Sequence, residues 1–413
     1  MTVVVFLLLL LGAVPIALVL ALTAMWYIQA SGNTVLFDSY PQQLFSAIES
    51  YGLLAIPLFM LAGELMNEGG LTKRLIALAR ILVGGFRGGL AYINLVANMM
   101  MAAIIGSAAS QIAIMSRAMV PAMEEEGYDT PYSAAITAAG GLLSPIIPPS
   151  MLFVLFGVMA QVPIAEMFIA GLLPGLLLGA SFFVVIALVG LVQQYPRGQW
   201  PSRQQALHDA LWGMPALLIP VIIIGGILMG IATPTESAAL APLAALLMGR
   251  FVYGDLRLSQ LPQVLTRTAI NAGLVIMLIA AAGVFGWVVI YEQLPQMAAE
   301  WIAALTSSPF LFLLLGMVID GIAALILVVP ILMPIAQSQF AISPYQFGVV
   351  VCLTLVMGLL TPPVGAGLFI ASSMTGAPPL KIFRALLPFL LATLVTLVLL
   401  AWLPWLTNGL IQR

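Results

Sequence analysis

Ser144-Pro145-Ile146-Ile147-Pro148-Pro149-Ser150 lies inside an otherwise apolar, helix-length segment running from about Tyr132 to Met159. Proline lacks the helical N–H donor and its ring clashes with the preceding turn, so three prolines in five residues must break that helix. In hydrocarbon, unpaired backbone groups persist only where protein buries them or where they line a cavity. A helix broken at mid-membrane is therefore expected at an ion or substrate site, with half-helix ends aimed inward. A second break, Thr361-Pro362-Pro363-Val364-Gly365, occupies a comparable segment of the second half.

Composition supports the membrane premise. The chain has 413 residues, 62% hydrophobic and 7% charged, with a mean hydropathy of +1.15. A soluble protein of this size could not hide so much apolar surface, so the expected class is an all-α polytopic membrane protein with the lipid bilayer as its solvent. A single Cys352 and a single His208 leave no disulfide framework and no Cys/His metal cluster. Cys352 is expected in an apolar helix and His208 in a polar loop. No nucleophile with a base, phosphate loop or nucleic-acid footprint is present, so neither an enzyme nor a nucleic-acid partner is expected, and no cofactor.

Outward from the first break, the segments read as follows. Val3 to Ile28 lacks a basic leader region and is expected to be the first membrane helix. A polar loop, Gln29 to Gln43, precedes a second apolar segment from about Leu44 to Met66, with Glu64 and Glu68 solvated at its end. Leu71, Leu75, Leu78, Ala79 and Leu82 recur at helical spacing among Lys73, Arg74 and Arg80, as in an interfacial helix. Leu90 to Met123, interrupted at Gly106-Ser107, gives two pieces too short to span alone and is read as a re-entrant hairpin. After the break come Met167 to about Gln194, a polar stretch Arg197 to Asp209, and spans near Leu211–Met229, Ser237–Met248 and Thr268–Tyr291. Thr233-Pro234-Thr235-Glu236 has capping-box spacing. Trp301 to Thr306 is a short interfacial candidate, Pro309 to Gln337 is a second hairpin interrupted at Asp320-Gly321, and Ala385 to Trp405 is a closing span.

Counting spans, with each hairpin returning to its own side, collects Lys73, Arg74, Arg80, Arg87, Arg197, Arg203, Arg250, Arg257, Arg267, Lys381 and Arg384 on one face. Asp38, Glu49, Glu166, Glu292 and Glu300 fall on the other. The positive-inside rule makes the basic face cytoplasmic, with the N-terminus cytoplasmic and the C-terminus on the opposite side. Proline positions also repeat. Pro121 and Pro131 are ten apart, as are Pro334 and Pro344; Pro149 and Pro174 are twenty-five apart, as are Pro363 and Pro388. The halves enter the membrane from opposite sides, so inverted repeats with two re-entrant hairpins and two broken helices are expected, the plan of secondary transporters.

The freed carbonyls and hydroxyls at Gly106, Ser107, Ser144, Pro145 and Pro148 are hard oxygen ligands that suit sodium, or else they cap half-helices. Asp320, with Gly321, Thr361, Pro362 and Gly365, is the candidate second cation site; a structural alternative is that Asp320 caps a hairpin arm. Membrane cations are few, so an organic anion would be held by half-helix N-termini and bound cations, with Ser110, Pro149, Ser150, Val364 and Gly367 as candidate contacts. Arg117 is expected at the cytoplasmic interface. A stand-alone cation-coupled anion carrier or a passive channel could use the same helices.

Several stretches together resemble the large membrane subunit of tripartite ATP-independent periplasmic (TRAP) transporters. They are residues 57–67 (Pro57 to Asn67), 121–128 (Pro121 to Tyr128), 145–150 (Pro145 to Ser150), 233–236 (Thr233 to Glu236) and 358–365 (Gly358 to Gly365). The resemblance covers nearly the whole chain. It implies a bacterial inner-membrane, sodium-driven importer of organic acids such as C4-dicarboxylates or sialic acid. It further implies a separate small four-helix membrane subunit and a periplasmic substrate-binding protein. The family's elevator mechanism implies a moving domain, 88–195 with 308–413, against a scaffold, 1–87 with 196–307. One departure stands out: the first tip of the family pattern carries an acid a few residues after its Gly-Ser, where this chain has Gln111.

Overall fold

The computed structural model describes residues 2–12, 14–193, 195, 198–293, 308, 322–362 and 365–411. Among these the chain is helical with no strand. The tip Asp320-Gly321, Pro363, Val364 and the segment Trp301 to Thr306 lie outside the described residues.

The expected first helix is two: α1 (Thr2–Leu11) and α2 (Ile16–Ser31). Pro15 stands at the start of α2 with extended backbone, where its missing N–H costs nothing. The expected polar loop also contains a helix, α3 (Leu36–Ser46), bent by 50° from the segment Tyr51–Glu68 that holds α4 (Ala55–Glu68). Its aromatic face explains it, since Tyr40 is buried in a cluster with Val284 and Val288.

The basic amphipathic stretch is α5 (Leu71–Val83), which buries Leu71, Leu75, Leu78 and Ala79. Leu82 is exposed and Val83 is buried in its stead. The hairpin follows as α6 (Gly89–Ile105) and α7 (Ala108–Glu125), then α8 (Thr130–Gly141), the break, and α9 (Met151–Met159). Next come α10 (Ile164–Gln193), α11 (Arg203–Leu228), α12 (Pro234–Leu247) and α13 (Leu261–Tyr291). The described second half continues with α14 (Ile322–Ser338), α15 (Pro344–Gly358), α16 (Ala366–Thr375), α17 (Pro379–Trp402) and the short α18 (Trp405–Asn408). His208 sits in α11 rather than a loop, because Ser202 caps that helix and carries it into the polar stretch. Cys352 is buried in α15, as expected. Among the described residues, five stretches are long and apolar enough to cross a membrane: Ile164–Gln193, Arg203–Leu228, Pro234–Val252, Leu258–Tyr291 and Pro379–Trp402.

The helices can be followed in two sets, joined along α5 and α6, which pack on each other. In the first, α4 and α5 lie on α11, α12 and α13. Polar brackets pin their ends: Arg267 donates to Glu68 at 3.2 Å, Gln260 donates to Glu68 at 3.1 Å, and Arg74 donates to Asp255 at 2.7 Å while covering the Tyr253 ring. Glu68 is thus a partner in a bracket, not a freely solvated end group. The expected capping box at Thr233 and Glu236 starts α12.

In the second set, α6 to α10 pack with α15, α16 and α17. The post of this set is α10, whose Gly171, Gly175 and Gly179 recur every fourth residue. A Cβ at these positions would stand 2.2 Å from Phe153, 2.8 Å from Ile147 and 2.6 Å from Met99 respectively. Small residues at this spacing let helices approach closely where no hydrophobic effect drives them together. Phe182 of α10 meets Phe389 of α17 edge-on at 5.5 Å, and Phe156 of α9 meets Phe347 of α15 at 6.3 Å.

The two connections from α5 to α6 and from α10 to α11 touch. The Gly198 N–H donates to the Phe86 carbonyl at 3.1 Å. Trp200 lies over Gly85, where a Cβ would stand 2.0 Å from the indole nitrogen. Phe86 meets the Trp200 ring edge-on at 5.9 Å.

Candidate functional site

The first hairpin turns at Gly106, which adopts a left-handed φ of 63°, and Ser107, which is extended. Side-chain bonds across it confirm that α6 and α7 run back along each other. Gln111 donates to the Asn98 carbonyl at 2.9 Å, and Asn94 approaches the Met123 sulfur at 3.4 Å. The tip abuts the first break. A Cβ on Gly106 would stand 3.1 Å from the Pro149 carbonyl oxygen and 3.4 Å from the Met151 nitrogen, so glycine serves both the turn and the approach.

At the break, α8 ends at Gly141 and α9 begins at Met151. Ser144, Pro145, Pro148, Pro149 and Ser150 are all buried. Ser150 caps α9: its hydroxyl accepts from the Phe153 N–H at 3.2 Å and donates to the Pro145 carbonyl at 2.5 Å. The Ser144 hydroxyl has no hydrogen-bond partner despite complete burial. Buried polar atoms are rarely left so, and each such atom calls for a reason.

Gly106, Ser107 and Pro145 line one cavity of about 170 Å³, closed by Ile56 of α4, Val275 of α13 and Leu359 beyond α15. Both helix sets therefore meet at the first tip. Leu359 leads into the second break, where the Thr361 hydroxyl donates to the Met357 carbonyl at 2.9 Å. The Gly365 N–H donates to the Thr361 carbonyl at 3.1 Å, and the Gly367 N–H to the Leu359 carbonyl at 2.9 Å. Ile112 of α7 joins the two breaks, since a Cβ would stand 2.4 Å from it at Gly141 and 3.0 Å from it at Gly367. Ser110 and Pro362 are exposed, as is Arg117. Asp320, Gly321 and Val364 lie outside the described residues.

Behind the tip runs a polar ladder that residue-by-residue reading of the sequence does not disclose. Asn94 donates to Thr137 at 2.7 Å, and Thr137 donates to the Ser133 carbonyl at 2.8 Å. Asn98 donates to the Asn94 side chain at 2.7 Å, and Gln111 donates to the Asn98 side chain at 2.8 Å and to the Gly140 carbonyl at 3.3 Å. All five side chains are completely buried. Three acceptors around the Gln111 nitrogen fix its amide orientation, which leaves its oxygen buried without a partner. The available signal was Asn94 and Asn98 four residues apart in an apolar helix, on one face.

Paired helix breaks meeting at a buried, hydroxyl-bearing point in an all-helical membrane fold define a membrane transport protein. The chain matches the family described as "Tripartite ATP-independent periplasmic transporter, DctM component" over residues 3–406, and it belongs to that family. It is 38% identical over 364 residues to the C4-dicarboxylate TRAP transporter large permease protein DctM of Pseudomonas aeruginosa, covering 86% of this chain and 84% of that one. It is 34% identical to the sialic acid TRAP transporter large permease protein SiaM of Vibrio cholerae, covering 92% and 91%. The isethionate TRAP transporter permease protein DctMQ of Oleidesulfovibrio alaskensis is 36% identical, with 93% of this chain matching 62% of that longer one. Among solved structures, the Alcanivorax borkumensis YdaH transporter shares the fold with a TM-score of 0.64 at 16% identity, covering 92% of this chain and 90% of that chain. The protein is a multi-pass TRAP large permease and not an enzyme.

Proposed function

We propose that this permease imports a small organic acid, of the C4-dicarboxylate or sialic-acid-like class, in symport with sodium across the bacterial inner membrane. A periplasmic binding protein delivers the acid, and a small four-helix membrane subunit completes the complex. The helices of 88–195 and 308–413 move as an elevator against 1–87 and 196–307, with the basic loops and the N-terminus cytoplasmic. The observation that carries this reading is the convergence of hairpin tip and breaks: Gly106 on the Pro149 carbonyl, and Ile112 between Gly141 and Gly367. Such a point offers hydroxyl and carbonyl oxygens, the ligands a hard monovalent cation prefers. The Ser144 hydroxyl, buried and unpartnered, is a side-chain oxygen that would gain from a cation. Asp320 and Gly321, with Thr361, Pro362 and Gly365, form the second cation site of this reading.

Uptake in vesicles holding the complete complex tests it. Accumulation should follow an imposed sodium gradient and require the binding protein. Undiminished accumulation in sodium-free medium under a proton gradient would refute sodium coupling, and uptake only down the solute's own gradient would identify a passive channel.

A further inference from the structure

Lys381 and Arg384 stand three residues apart in the first turns of α17, which places both on one face of the helix. Both are exposed, and neither has an ion-pair partner among the described residues. They line a groove of about 530 Å³ shared with Thr130 and Gly376, in which Asp129 is the opposing charge. Two cations against one anion leave the groove net positive, and two like charges at this spacing repel each other unless an anion lies between them.

Below Arg384 the same face of α17 is bare and apolar. Leu387, Leu391 and Val395 follow at helical spacing with exposures of 43%, 62% and 58%. From Arg384 to Val395 the helix rises about 16 Å at roughly 1.5 Å per residue. That is half of the roughly 30 Å hydrocarbon core, the depth of one leaflet.

No ion pair ties these cations into the fold among the described residues. In the repeat expected from the proline spacing, the positions seven and four residues before Pro174 are Met167 and Ala170, both completely buried in α10. Lys381 and Arg384 hold the corresponding places before Pro388. The second-repeat copy is thus open and cationic where the first is covered and neutral.

We propose that this groove binds the phosphate of an anionic phospholipid, with an acyl chain lying along Leu387, Leu391 and Val395. On the topology proposed above the lipid belongs to the cytoplasmic leaflet, though its binding does not depend on sodium coupling or on the substrate.

The test uses the full-length protein in neutral detergent, titrated with phosphatidylglycerol or with phosphatidylcholine of the same acyl chains, and retained lipid is counted by native mass spectrometry. Phosphatidylglycerol should be retained at least tenfold more tightly. Lys381→Gln or Arg384→Gln should weaken it about fivefold each, and the double variant about thirtyfold, as expected for one interfacial charge each. Lys73→Gln, at an exposed basic position of α5 outside the groove, should leave retention unchanged. Equal retention of the two lipids by the unaltered protein would overturn the proposal even if the variants fail to fold. Competition by millimolar sn-glycerol 3-phosphate would overturn it too, by showing a site for soluble phosphate.

Discussion

Replacing Gly140 by alanine sets helix propensity against packing. Propensity favours the change, since alanine in a helix is worth up to about 1 kcal/mol over glycine. Packing opposes it: the new Cβ would stand 2.5 Å from the Asn98 Cγ, 2.6 Å from its Nδ2 and 2.8 Å from its Cβ. Turning the Asn98 amide away relieves the first two contacts but not the third. The turn also breaks both Asn98 bonds to Asn94 and the Gln111 bond to the Asn98 side chain. Three bonds at about 0.6–1 kcal/mol each inside a membrane come to roughly 2–3 kcal/mol, and forced helix separation adds roughly 1 kcal/mol. After subtracting propensity, Gly140→Ala should destabilise by about 2–3 kcal/mol. In an Asn98→Gly background all three clashing atoms are gone, and the same substitution should stabilise by up to about 1 kcal/mol. Sodium dodecyl sulfate unfolding titrations in mixed micelles, run on all four proteins, measure this coupling. A neutral or stabilising Gly140→Ala in the unaltered background, or the same sign in both, would refute the ladder as the element that fixes α8 against α6.

Ser144→Ala removes a buried hydroxyl that has no partner, so stability should hold or rise slightly, while the sodium concentration for half-maximal uptake should increase; unchanged sodium dependence would remove Ser144 from the cation site. Asp320→Asn should cut transport severely or weaken apparent sodium affinity while folded protein still accumulates, with Asp320→Ala no worse. If the carboxylate only caps a helix, uptake normalised to folded protein will instead show Asn nearly silent and Ala about 1 kcal/mol less stable. Thr233→Ala deletes the bond from the Glu236 N–H at 3.2 Å and should lower unfolding stability by about 1 kcal/mol without altering sodium dependence.

The breaks were legible because proline's effect is local: whatever surrounds them, residues 145–149 cannot continue a helix. Gly106-Ser107 was legible for a different reason, since the two flanking apolar runs are each too short to span. Pro15 ends a helix as the clustered prolines at 145–149 do, unlike the single prolines inside α7, α10 and α17, yet hydropathy averaged across Val3 to Ile28 conceals it. The helix Leu36–Ser46 was hidden by the polar composition of its exposed side, although Tyr40 buries the other. The polar ladder was the least legible feature. Asn94, Asn98 and Thr137 carry no signal singly, and Gln111 stood out only as a departure from the family pattern; their bonding emerges only when three helices converge on them. The glycine series of α10 shows the same limit, because its spacing is visible in the sequence but its partners Phe153, Ile147 and Met99 come from three separate segments.

The contact between the two connections carries a mechanical consequence. Chain enters the α6–α10 block through Gly84-Gly85-Phe86 and leaves it past Gly198 and Trp200, and these two segments touch. A Cβ on Gly198 would stand 1.9 Å from the Gly84 carbonyl oxygen, so the segments lie in backbone contact with no side chain as a cushion. The two covalent links of this block to α5 and α11 therefore lie side by side, while α5 also packs along α6. The lever arm for a rotation there is the length of the hairpin itself, from Gly89 beside the contact to Gly106 at the tip, about 25 Å at roughly 1.5 Å per residue. A rotation of a few degrees about this contact would displace the tip by about an ångström.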